Sequence, residues 1–81
     1  MSIAHKHYKG FRLDADIYAA AQGFVPILTI TKHGDQTLEK QFSPPHPPDG
    51  YLTEKDAIDA SLTYGMAIID GQIKGQSVSE M

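Results

Sequence analysis

Residues 53 to 71 read TEKDAIDASLTYGMAIIDG, and this stretch decides the fold. Ala57, Ile58, Ser61, Leu62, Gly65, Ile68 and Ile69 recur at helical spacing and form one stripe. Asp59, Thr63 and Asp70 fall off it. Thr53 is a good N-cap, with Asp56 three residues on, a capping-box-like spacing. Glu54 and Asp56 stand in the first turn, where the helix dipole favours acids. Gly71 is the natural stop. The spacing therefore predicts a helix over 53–70. Gly65 inside it costs about 1 kcal/mol against alanine, so a close approach to a neighbouring layer is expected there.

Upstream of the helix the chain reads as strands. FVPILTITK at 24–32 has Phe24, Leu28 and Ile30 on one parity. Pro26 has no N–H to give, which places that end of the strand at an edge or at the entry to pairing. A second run at 36–42, with apolar Leu38 and Phe42, is expected to return as a hairpin. A loop of His33, Gly34 and Asp35 sets Ile30 opposite Leu38 and Pro26 opposite Phe42, apolar against apolar. IAHKHYKGFRL at 3–13 reads as one further strand, with Gly10 marking a bulge that switches faces. DADIYAAAQ at 14–22 reads as an irregular connection, with a short helix capped by Asp14 as the alternative. SPPHPPDG at 43–50 carries four prolines and is expected to be an extended link to the helix.

The expected architecture is an α+β fold: an antiparallel β-β-β sheet with strands near 3–13, 24–32 and 36–42, packed on a C-terminal helix at 53–70. A single domain over 1–71 and a frayed tail at 72–81 complete it. The 81-residue length supports one domain. A chain this size buries only about 60% of its unfolded surface. The absence of cysteine rules out disulfides and thiolate metal sites, and fits a reducing compartment. No run reaches the ~20 apolar residues of a membrane helix. The expected location is cytoplasmic, with no membrane partner.

Charge is unevenly spread. Residues 1–13 carry Lys6, Lys9 and Arg12 and no acid, whereas the remainder carries four lysines against ten acids. Lys6, Tyr8, Lys9 and Arg12 interleave cations with an aromatic ring, a mix that suits nucleic acid. The same residues equally suit an edge strand guarded by lysine. Pro45, His46 and Pro47 sit in two overlapping P-x-x-P patterns of the kind that groove-type readers bind. These seven residues form the candidate interaction surface. His5 and His7 project from one strand face but need a further ligand to hold a metal, so neither a metal nor a cofactor is assigned. The pairs Asp14 with Asp16 and Asp56 with Asp59 have ordinary capping reasons. No nucleophile motif or phosphate loop is present, and no catalytic residue is assigned.

Tyr8 and Gly10, Phe24, and Ile69-Asp70-Gly71 form the pattern Y-x-G, an aromatic-led central strand and a helix ending in I-D-G. In this the chain resembles a group of short proteobacterial proteins with no established activity. The resemblance spans about residues 8–71. It implies a bacterial chain whose strands precede a C-terminal helix, and it transfers no functional residue. The expected role is a small non-enzymatic interaction or structural module that binds a protein partner or another copy of itself. The rival readings are nucleic-acid binding through the basic first strand, and an accessory or assembly role in a mobile element such as a phage.

Overall fold

The structure, a computed structural model, describes residues 4–32, 38–73 and 75. A four-stranded antiparallel sheet, ordered β1-β2-β3-β4, carries one C-terminal helix on one face. The strands are β1 (Ala4–Tyr8), β2 (Phe11–Ala19), β3 (Phe24–Lys32) and β4 (Leu38–Phe42), and the helix is α1 (Glu54–Ile69). This is the expected α+β arrangement with one strand more.

The extra strand comes from the segment expected as a single strand over 3–13. It turns back on itself at Lys9 and Gly10, whose φ angles are 49° and 84°. Tyr8 then lies opposite Phe11. Two positive φ values in a two-residue loop are what a tight hairpin with right-handed strand twist requires. Gly10 is thus a turn residue rather than a bulge. The turn also resolves the mixed alternation of this segment, since Lys6 and Tyr8 join Phe11 and Leu13 on the helix side. His5 and His7 share the open face with Arg12 and Asp14.

The segment expected as an irregular connection over 14–22 is strand as far as Ala19. Its alternation has period two: Ala15, Ile17 and Ala19 face the helix, and Asp14, Asp16 and Tyr18 face away. The alanines look like helix formers in isolation. Nine residues of pairing with β3, from Phe11↔Lys32 to Ala19↔Phe24, outweigh that local preference.

The β3–β4 register differs from the expected one by two residues. Leu28 lies opposite Phe42, and Ile30 opposite Lys40. The physical reason lies in Pro26. Phe24 exchanges both backbone hydrogen bonds with Tyr51 (2.8 and 2.7 Å), so the even-numbered groups of β3 face the β4 side. Pairing Phe42 with Pro26 would demand an N–H that proline lacks. Sliding by two leaves Pro26 beyond β4 and keeps every side chain on its face. It also seats Phe42 in the core. The His33–Asp35 loop lies outside the described residues.

Leu13, Leu28, Ile30, Phe42 and Ile68 form the buried cluster between sheet and helix. On α1 the fully buried row is Ala57, Ser61, Gly65 and Ile68, within the expected stripe. A Cβ on Gly65 would lie 3.1–3.2 Å from the δ-carbons of Leu13 and Leu28, so its absence sets the helix-to-sheet distance. Thr53 Oγ1 accepts the Asp56 N–H at 3.1 Å. At the other end, Gly71 N–H donates to Ile68 O and Gln72 N–H to Ala67 O, a Schellman closure. Of the segment expected to fray, Ile73 packs against the core cluster. Most of the rest lies outside the described residues.

Candidate interaction site

The seven residues singled out by sequence fall into four places. Tyr8 and Lys9, at the end of the β1–β2 hairpin, reach the C-terminus of α1. Tyr8 Oη donates to Asp70 Oδ2 at 2.8 Å, and Lys9 Nζ donates to Asp70 Oδ1 at 2.5 Å. The Lys9 ammonium also lies 5.3 Å from the Tyr8 ring centroid. Asp70 is the C-cap of α1, and the last turn holds no basic residue. A carboxylate there opposes the helix dipole, so a cation from outside the helix restores the balance. The hydrogen bonds from Lys9 and Tyr8 hold the Asp70 carboxyl below the usual carboxylate value. Its acceptance in turn raises the pKa of both Tyr8 and Lys9. Tyr8 and Asp70, from near the two ends of the described chain, are therefore the two halves of one clasp.

Lys6 lies on β1 opposite Leu13 and is exposed. Arg12 projects from the opposite sheet face, where its Nε meets Asp14 Oδ1 at 3.1 Å. The structure thus does not gather Lys6, Tyr8, Lys9 and Arg12 into one basic patch. The hairpin puts Arg12 across the sheet from Lys6, and two of the three cations are taken up by acids. The histidine pair does share a face, with ring centroids 6.0 Å apart. Among the described residues no group of three or more histidines and acids is placed to hold a metal. Three of the carboxylates considered as pairs have local partners: Asp14 meets Arg12, Asp16 accepts the Ile17 N–H at 2.8 Å, and Asp59 accepts from Lys55 Nζ at 3.0 Å.

Pro45, His46 and Pro47 lie in the link before α1. This link folds back on the domain. Pro44 is fully buried. Pro45 O accepts a hydrogen bond from Tyr51 Oη at 3.3 Å, and Pro47 O accepts the Gly50 N–H at 2.8 Å. The Pro44-to-Pro47 pattern is therefore partly consumed within the fold. Glycines at 23 and 50 allow it to lie so close. A Cβ on Gly23 would sit 2.3 Å from Asp49 O, and one on Gly50 2.7 Å from Phe24 O.

α1 packs on β1, β2 and β3, and of β4 only Phe42 is buried. Beside the helix a trough of about 340 Å³ opens. Pro44, Pro45 and Tyr51 line one end, Ala60, Tyr64 and Ala67 its helix wall, and Ile73 is also part of the lining, with Thr63 the one remaining polar side chain. Sequence reading missed all of this lining except Pro45. The available signal was Ala60, Tyr64 and Ala67, a small-aromatic-small series at helical spacing beside the core stripe.

Among the described residues, no helix is long and apolar enough to cross a membrane. The chain matches no family model, no curated protein and no solved structure.

Proposed function

We propose that this protein is a small non-enzymatic interaction module that receives a protein partner in the trough beside α1. The observation that carries the reading is the trough itself: a strip of alanine, tyrosine, threonine, proline and isoleucine beside the helix, without a charged side chain. Apolar surface that a small domain leaves open in a concave, polar-rimmed place is the usual mark of a docking surface. The rival nucleic-acid reading has less to draw on, because Asp70 engages Lys9 and Asp14 engages Arg12.

The test is a pull-down from host lysate with the wild-type chain and with Ala60→Arg, which places a long cation in the trough. Each lysate is split into nuclease-treated and untreated halves. The expected result is a protein retained by wild type after nuclease treatment and lost with Ala60→Arg, while circular dichroism of the variant stays unchanged. Retention that is equal for both chains, or that vanishes with nuclease, overturns the reading.

A further inference from the structure

We infer that the occupant of the trough is a proline-bearing segment of another polypeptide, held in the extended polyproline II conformation. This rests on the interaction-module reading above and names the chemistry of its partner.

One end of the trough is walled by the chain's own prolines. Pro44 and Pro45 of the chain itself close that end, Pro44 fully buried and Pro45 bound through its carbonyl to Tyr51 Oη at 3.3 Å. The vacant part of the trough continues directly from this internal proline–tyrosine contact, since Pro44, Pro45 and Tyr51 belong to its lining. A polyproline II segment has no internal hydrogen bonds, so each of its carbonyls seeks an external donor. Tyr51 supplies one donor within the chain. Tyr64 lines the same trough, is half-buried, and has no hydrogen-bond partner among the described residues, so its phenol is available to a second carbonyl. Ala60 and Ala67 add no bulk to the wall beside it, which suits a stiff segment with little side chain to insert.

The electrostatics point the same way. No charged side chain lines the trough, and Lys55 is already paired with Asp59 on the exposed side of the helix. A ligand that depends on charge finds no counter-charge here. A proline segment loses little by entering, because its conformational order is set before binding. The recognition is thus apolar contact plus phenol-to-carbonyl hydrogen bonds, repeating between chains what Tyr51 and Pro45 do within one.

The experiment is a titration of the full isotope-labelled chain with acetylated, amidated hexaproline, read by amide chemical shifts, with a hexapeptide of alternating glycine and serine as control. The expected result is saturable shifts at Ala60, Tyr64, Ala67 and Ile73 with hexaproline and none with the control. Tyr64→Phe removes one hydroxyl donor and is expected to weaken binding about five-fold, the equivalent of one ordinary hydrogen bond. Ala60→Arg, on a half-exposed helix position, is expected to abolish binding while amide dispersion is retained. Absence of saturable shifts in the trough, equal binding of the control, or unchanged affinity in both variants overturns the inference. If hexaproline fails while the lysate partner is still lost with Ala60→Arg, the interaction-module reading stands and the proline chemistry alone falls.

Discussion

The link that carries Pro44 to Tyr51 is held against the β2–β3 turn by two glycines, and substituting alanine at three positions separates the physical terms. Gly10 has φ +84° and open space around its missing Cβ. Gly23 has an ordinary φ, but its Cβ would lie 2.3 Å from Asp49 O. Gly50 combines φ +83° with a Cβ 2.7 Å from Phe24 O. Left-handed backbone costs an L-residue about 1–2 kcal/mol. Relieving either clash means moving the link off Phe24, which endangers the two Phe24–Tyr51 hydrogen bonds, each contributing about 0.5–1.5 kcal/mol net. Gly10→Ala is therefore expected to cost about 1 kcal/mol, Gly23→Ala about 2 and Gly50→Ala about 3, the sum of both terms. A domain of this size has a total stability on the order of 5–10 kcal/mol, so the last change removes a large share. Its melting temperature should fall by roughly 15 °C. Urea unfolding followed by circular dichroism measures all three, with hydrogen exchange of the Tyr51 amide as the local readout. The reasoning is refuted if Gly50→Ala is no more destabilising than Gly10→Ala, or if Tyr51 keeps its protection in Gly50→Ala.

Three further outcomes follow from the same geometry. Thr53→Ala removes the oxygen that caps the Asp56 N–H and should cost about 1 kcal/mol in urea unfolding, whereas Thr53→Ser should be nearly neutral. Ile30→Ala empties a fully buried position between Leu13 and Ile68 and should cost about 2–5 kcal/mol, with the m-value unchanged. The Tyr8–Lys9–Asp70 clasp should show a defined pH window in thermal melts. Asp70 is held below its ordinary value of 3.8, so its contribution is present above that pH and disappears as pH falls through the lower folded value. Tyr8 and Lys9 are raised above 10.0 and 10.5, so their contributions are present below those values and disappear as pH rises through the folded ones. The stability difference between wild type and Asp70→Asn should therefore be flat between about pH 5 and 9 and shrink below pH 3. A difference that changes across neutral pH would show that another group titrates against Asp70.

The helix, its caps and its buried row were legible in the sequence because they are local: capping, dipole and periodicity act over one or two turns. The hydrophobic alternation of β3 and the stop at Gly71 were legible for the same reason. What pairing decides was not. Whether Lys9-Gly10 is a bulge or a hairpin depends on whether β1 finds β2 beside it. Whether DADIYA extends depends on the six residues of β3 opposite, Phe24 to Thr29. The β3–β4 register turned on which edge of β3 carries the missing Pro26 N–H, a question that only the Phe24–Tyr51 bridge answers. The candidate site divides in the same way. Sequence picked out Lys6, Tyr8, Lys9 and Arg12 as neighbours in the chain. The hairpin then sent Arg12 to the far face and brought Tyr8 and Lys9 to Asp70, 62 and 61 residues away, at the surface. The trough was not readable at all as a unit, since its lining is gathered from residues 44 to 73, from the link, the helix and the segment after it. Local chemistry fixed the helix, its caps and the alternation of β3, and pairing between distant stretches decided the rest of the sheet, because those contacts exist only once the chain has folded.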